Sequence, residues 1–411
     1  MANIILIRPE RSENAHHLHY KREIIRHLRY KKEIARHLRY NTYNPTRLRP
    51  VQPTRRLPMK PLRFVVIGSG YRSLYYARVA KALPDRFELS AILCRSQRKA
   101  ALIKNQYGFK TSFSLRECMG SNPDFAVIAV KPDALFSVLK VWALLGIPLL
   151  IETPAGNTLE DMNEIWKLHE RGSRIMTAEQ YFLSAPHAAA IRLVESGKLG
   201  MLQTLTLSCA HNYHGASLIR RYLQIPTDEP FSILGNAFYY ETEQTDSRYG
   251  LIKDGSLADD VRKCAMFSFL SGKSALYDFS TLQYRTRIRG MHRMLRGRQG
   301  ELMDEKVRYV DANHETHDLR LRTVRGEAGG VESILLGDET LYTNPFPESG
   351  LTVDETAVAE MMEGMRDLID TGRELYPLKD ALQDAYTGQL IEDAISHPGH
   401  IVQSAPQIWN H

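Results

Sequence analysis

The chain has 411 residues, of which 43% are hydrophobic, 9% aromatic and 25% charged, a balance that excludes collagen-like, disulfide-stapled and wholly disordered classes. At ~100–200 residues per domain, this length supports two domains or three. The formal charge of +7 points toward nucleic acid only until it is mapped: residues 1–58 hold 14 Lys/Arg against 4 Asp/Glu, which leaves 40 against 43 in the remainder.

The basic excess sits in a ten-residue repeat, Leu18 to His27 followed by Leu28 to His37 and then Leu38-Arg39-Tyr40. Two and a third copies cannot stack into a solenoid core. Pro45, Pro50, Pro53, Pro58 and Pro61 disfavour regular structure after it, and Met59-Lys60 stands directly before the first strand signal. Residues 1–58 are therefore read as a basic extension, disordered or an artefact of where translation is taken to begin, and no nucleic-acid partner is expected. The longest apolar run, Val141 to Ile151, has 11 residues, well short of the ~18–20 that a membrane helix needs. The four cysteines lie at least 24 residues apart, so no zinc spacing exists. A soluble, cytoplasmic protein with reduced thiols and no metal is expected.

From Leu62 the pattern is strand, glycine turn, helix. Leu62-Arg-Phe-Val-Val-Ile67 is the short, β-branched run of a strand buried on both faces. Gly68-Ser-Gly70-Tyr71-Arg72-Ser73 follows, then a helical pattern of Leu74, Ala77, Ala80 and Leu83 stopped by Pro84. Gly68 permits a tight turn, Gly70 lets backbone approach a pyrophosphate at the helix N-terminus, and Ser73 is small enough for helix-to-strand packing. This turn, Tyr71 and Arg72 included, is the candidate dinucleotide cradle. A second strand, Leu89 to Leu93, ends at Cys94-Arg95-Ser96-Gln97-Arg98, where an NAD enzyme would place a ribose-binding acid. No acid stands there, and Arg95, Ser96 and Arg98 suit the 2′-phosphate of NADP, with NAD the alternative. Strand Phe125 to Val130, helix Asp133 to Leu145 and strand Pro148 to Glu152 continue the alternation. That order predicts an N-terminal doubly wound parallel Rossmann sheet over 59–180.

These residues resemble the glucose-fructose oxidoreductase, inositol dehydrogenase and rhizopine catabolism family (Gfo/Idh/MocA). The likeness rests on Gly68-Ser-Gly70, Ala129-Val-Lys-Pro132, Gly146-Ile-Pro-Leu-Leu-Ile-Glu152-Thr-Pro154, Ala178-Glu-Gln-Tyr-Phe182 and Ser196-Gly-Lys-Leu-Gly200, and it extends over essentially all of 59–411. The resemblance implies a C-terminal α/β domain, here 181–411, whose large, mainly antiparallel open sheet lines the substrate site and forms a homodimer or homotetramer interface. It implies NAD(P)-dependent oxidation or reduction of a small-molecule substrate, a sugar, cyclitol or related hydroxylated or imine compound, and it places Glu152 at the cofactor. Two departures stand out. The lysine of the family's Glu-Lys-Pro motif is Thr153 here, and in the family's Asp-x-x-x-His-x-x-Asp pattern Ala210 and Ser217 replace the carboxylates while His214 keeps the histidine.

Hydride transfer needs a group that exchanges the hydroxyl proton. His214 is the first candidate, because histidine titrates near neutral pH, and Lys131, just past strand Phe125 to Val130, is the second. A helix-capping or pocket-lining role is the plain alternative for His214, and a surface role for Lys131. Arg285, Arg287 and Arg289 recur with period 2 and are expected on one face of a strand. With the catalytic residues non-standard, a non-catalytic NAD(P)-binding sensor on the same fold is the alternative function.

Overall fold

A computed structural model describes residues 60–247, 250–327 and 329–410; the basic repeat lies outside the described residues. The first sheet is built from β1 (Leu62–Ile67), β2 (Phe87–Leu93), β3 (Thr111–Ser112), β4 (Phe125–Ile128), β5 (Leu149–Ile151) and β6 (Ile175–Thr177). Its six strands are parallel in the order β3-β2-β1-β4-β5-β6. Every residue of β4, β5 and β6 is buried, as expected of strands covered by helices on both faces. The crossovers are α1 (Ser73–Ala82), α2 (Gln97–Tyr107), α3 (Leu115–Gly120), α4 (Pro132–Ala143) and α5 (Leu159–Glu170). Their starts are locally encoded: Ser96 and Ser114 accept from the backbone N–H groups of Lys99 and Glu117, and Thr158 and Asp161 form a reciprocal capping box. The strand expected through Val130 stops at Ile128: the Ala129 N–H makes the last rung to Ile67 O, and the chain then turns toward α4, which starts at Pro132.

A short 3₁₀ turn, Tyr181–Leu183, leads into α6 (Ala185–Glu195), β7 (Leu202–Ser208) and α7 (Asn212–Leu223). A mixed second sheet then adds β8 (Phe231–Glu243), β9 (Asp246–Ser247), β10 (Gly250–Leu251), β11 (Leu257–Phe269), β12 (Ser274–Ser280), β13 (His292–Gly297), β14 (Gly300–Met303), β15 (Lys306–Val310), β16 (Thr316–Arg325), β17 (Val331–Leu336) and β18 (Glu339–Thr343). After α8 (Val353–Thr371) and α9 (Leu378–Ser396), β19 (Ile401–Gln403) closes its far edge. Eleven strands run in the order β18-β17-β16-β15-β14-β13-β7-β12-β11-β8-β19, with β9 and β10 forming a separate ribbon. All pairings are antiparallel except β7 with β12. Helices α6, α7 and α9 pack on one face of this sheet.

The arginine row at 285–289 is not on a strand. That segment is a run of turns whose backbone is held by side chains: Leu282 N–H donates to Asp260 at 3.2 Å, and Arg287 N–H to Thr245 Oγ1 at 2.7 Å. The Arg285 N–H closes a turn to Leu282 O at 2.7 Å and the Arg287 N–H is held by a side chain, so the period-2 pattern carries no strand. Arg287 pairs with Asp246 at 3.4 Å and Arg289 donates to Thr242 at 2.9 Å.

Helix α8 crosses back to the first sheet's layer and packs against α1, where Arg78 meets Glu355 at 2.5 Å and Arg86 meets Glu363 at 3.2 Å. One carboxyl on α8 lacks such a partner. Glu360 Oε1 is buried without a hydrogen bond, and burial pushes its pKa up to about 8. The unfolded chain releases this proton near pH 4.5 and the folded chain near 8, so the resulting destabilisation grows as pH rises through that window. Glu360→Gln should therefore raise Tm by ~2–5 °C at pH 8.5 and change it little at pH 4.5 in thermal melts.

Candidate active site

The Gly68–Ser73 turn crosses the carboxyl edge of the first sheet, where ligands of open α/β sheets lie. Gly68 has φ of +116°, and a Cβ there would stand 2.2 Å from the Ala129 carbonyl oxygen, so only glycine lets the turn pass the end of β4. A Cβ on Gly70 would meet nothing within 4 Å, which leaves its backbone open to a phosphate. Ser73 is buried and its Oγ donates to Ala129 O at 3.4 Å, joining helix to strand. Tyr71 is exposed at the rim, and α1 begins without a side-chain cap. An open glycine beside an uncapped helix N-terminus fits a dinucleotide pyrophosphate. At the end of β2, Arg95 and Arg98 are exposed while Ser96 Oγ accepts the Lys99 N–H at 3.4 Å.

Arg72 is drawn inward. Its Nε donates to Glu152 Oε1 at 2.8 Å and its Nη1 to Asp354 Oδ2 at 3.0 Å, and the Tyr76 hydroxyl donates to the same Glu152 oxygen at 2.5 Å. Burial opposes the guanidinium charge, but Glu152, Tyr76 and Asp354 outweigh it and hold the Arg72 pKa well above its ordinary value. Glu152, the residue the resemblance placed at the cofactor, thus has one oxygen committed to two donors of the protein. The chain then turns through a cis Thr153-Pro154 peptide.

Thr153 stands beside Tyr213 of α7, the two lining the same small cavity and interacting through their side chains. Burial pushes the Tyr213 phenol up to about 12, with the Thr153 contact opposing the shift, so it is a neutral donor at physiological pH. His214 follows in the first turn of α7, and His211 is the residue that begins that turn. The His214 ring is buried; its Nδ1 lies 2.5 Å from Glu179 Oε2, and the carboxylate is itself buried just past β6. Glu179 Oε1 accepts the Tyr181 N–H at 3.0 Å. Rings crowd the imidazole, with centroids at 4.3 Å for Tyr181, 4.5 Å for Tyr213 and 4.9 Å for His211. Burial, reinforced by His214 and Lys263, pulls the His211 pKa down to about 3, so His211 is neutral; its backbone N–H donates to the Tyr284 hydroxyl at 3.2 Å. Lys131 is placed differently. It is exposed, at the start of α4, and makes no side-chain capping bond.

Thr153, Thr177, Glu179, Tyr213 and Asp384 line a small cavity beside this cluster. On its lining Thr177 Oγ1 is buried without a hydrogen-bond partner, as are Arg72 Nη2 and Gln180 Oε1 in the adjoining Asp354 network. Gln180 Nε2 meanwhile holds the second oxygen of Asp354 at 3.1 Å. Buried polar atoms are nearly always paired in native proteins, so these three mark positions for a polar ligand or water. In the sequence Glu179 and Gln180 appear only within the resembling segment Ala178 to Phe182, with no role attached, and Thr177 and Asp354 are not singled out. A lone acid directly after an apolar strand was a usable signal for Glu179, whereas Asp354 lies 282 residues from Arg72 and offers none.

The six-stranded parallel sheet with its glycine turn defines a Rossmann domain of the dinucleotide-binding type, followed here by a large second sheet. Residues 62–180 match the model of the oxidoreductase family with an NAD-binding Rossmann fold, Gfo/Idh/MocA. Solved structures repeat the fold. An NAD-binding oxidoreductase from Klebsiella pneumoniae aligns with a TM-score of 0.61 at 16% identity, over 84% of this chain and 100% of that one. An oxidoreductase from Agrobacterium radiobacter in complex with NAD+, L-tartaric acid and magnesium gives 0.59 at 15%, over 83% and 98%. Biliverdin reductase from Synechocystis, in complex with biliverdin and NADP+, gives 0.56 at 14%, over 82% and 100%. No curated protein matches the chain by sequence.

Proposed function

We propose that this chain is an NAD(P)-dependent dehydrogenase or reductase of a sugar, cyclitol or related hydroxylated small molecule, with His214 carrying the hydroxyl proton. The observation behind this reading is the buried His214–Glu179 pair, set one residue from the Tyr213–Thr153 contact and so joined to the nucleotide turn through Glu152 and Arg72. The nicotinamide would accept or return hydride; the protein's part is to bind, orient and move a proton. With threonine in place of the family lysine, neutral donors at Thr153 and Tyr213 position a substrate oxygen, and the imidazole takes its proton during oxidation or returns it during reduction. The unpaired atoms of Arg72, Thr177 and Gln180 suit a ligand rich in hydroxyl groups. Lys131 is the second candidate for the proton, exposed at the carboxyl end of β4.

NADP is the cofactor we favour, held by Arg95, Ser96 and Arg98 against its 2′-phosphate. A homodimer or homotetramer through the second sheet is also part of the proposal. Opposite its helices, that sheet carries one continuous cross-strand row, Ile401, Leu234, Met266, Leu276, Thr206, Met294 and Met303, each paired with the next. Ile401, Leu234, Met266, Leu276 and Met303 are exposed in the single chain, and an apolar row of that width favours coverage by another chain.

Purified protein incubated with NADPH and a panel of sugar and inositol ketones should oxidise the cofactor; binding without oxidation across the panel would favour the sensor. Against an active ketone, His214→Asn should cut turnover ~10²–10⁴-fold with NADPH affinity retained. Normal turnover in that variant, with loss in Lys131→Met, would move the proton role to Lys131. Arg95→Ala removes a charge-assisted contact worth ~1.5–3 kcal/mol, so NADPH affinity by calorimetry should fall at least ~10-fold while NADH affinity holds. Met266→Arg places a charge in the middle of the apolar row and should shift the protein to a monomer in light scattering.

A further inference from the structure

We infer that Glu179 is a positioning residue that fixes the tautomer of His214, so that the proton sits on Nδ1 and the lone pair of Nε2 is left to work on substrate. The inference rests on the proposed proton role of His214 for its functional meaning, but the hydrogen-bond geometry stands without it.

The argument is one of donors and acceptors. Both oxygens of the Glu179 carboxylate are engaged, Oε1 by the Tyr181 backbone N–H at 3.0 Å and Oε2 by His214 Nδ1 at 2.5 Å. A carboxylate can only accept, and a backbone N–H can only donate. His214 Nδ1 must therefore be the donor of its contact, which places the lone pair of the neutral ring on Nε2. Among the described residues that nitrogen makes no hydrogen bond to another side chain, and it is the atom left for a substrate hydroxyl. Glu179 reaches the ring from the loop after β6, whereas the carboxylates of the resembling pattern would stand at Ala210, just before α7, and at Ser217 within it.

The same inventory predicts what an isosteric amide does. A glutamine at 179 has one accepting oxygen and one donating NH₂. The Tyr181 N–H is fixed by the backbone and claims the oxygen, so the NH₂ faces His214 Nδ1 and requires a lone pair there. The proton moves to Nε2, and the nitrogen facing substrate changes from acceptor to donor. Replacing an imidazole-orienting carboxylate by its amide leaves geometry intact yet stops base catalysis when the tautomer is wrong.

The test is histidine-¹⁵N NMR on the full chain, read at a pH high enough for His214 to have lost its second proton, with His214→Asn supplying the assignment. The wild type should show Nδ1–H and an unprotonated Nε2, Glu179→Gln should show the reverse, and Glu179→Asp, which keeps both acceptors, should retain the wild-type pattern. NADPH affinity should be unchanged in all three. An Nε2–H wild type, or one tautomer shared by wild type and Glu179→Gln, overturns the inference, and the wild-type spectrum alone decides it if the amide variant fails to fold. Full activity in His214→Asn would remove the proton role while leaving the tautomer result standing, so the two failures are distinguishable.

Discussion

Arg72 is the residue on which the arrangement turns. One guanidinium joins the glycine turn at the start of the chain's first βα unit to Glu152 beyond β5 and to Asp354 at the head of α8. Arginine can do this because its planar fork presents donors in several directions at once and keeps its charge when buried. Removing one partner of such a pair leaves an uncompensated buried charge, which costs ~3–5 kcal/mol. The pairing is therefore better understood as fixing geometry than as adding stability. It sets where Glu152 stands, and Thr153, the neighbour of Glu152, lines one small cavity together with Tyr213.

The second half of the site follows a different logic, satisfaction of a buried acid. Glu179 is buried with both oxygens bonded, one to backbone and one to imidazole, so its cost of desolvation is offset by directed hydrogen bonds. Around it the aromatic rings of Tyr181 and Tyr213 keep water away and strengthen the contact. The cluster thus sets one buried carboxylate against one imidazole, with the neutral hydroxyl-bearing rings of Tyr181 and Tyr213 packed around them.

The first sheet was legible because its signals are local: a β-branched run, a glycine turn and a helix follow one another within 21 residues, from Leu62 to Ala82, and each is specified by its own side chains. The same holds for the serine and threonine caps. The second sheet was legible as a class and not in detail, since its pairings join strands far apart in sequence, and the row at 285–289 imitated a strand while a turn and a side chain took its backbone bonds. At the site, His214 and the glycines stood out by residue type. Glu179, Thr177, Gln180 and Asp354 did not, because an acid or amide acquires meaning only from the donor across from it, and those donors come from other elements.

Helix α8 has a consequence for how the molecule is made. Its buried face, with Met361, Met362 and Met365, and its ion pairs to Arg78 and Arg86 complete a layer whose other member, α1, was formed almost 300 residues earlier. At ~5–20 residues per second of synthesis, α1 emerges from the ribosome many seconds before the surface that covers it. During that interval the nucleotide-binding half is a growing chain with an open apolar flank, a form that a holding chaperone would recognise. Its burial is completed only when the last fifth of the polypeptide arrives.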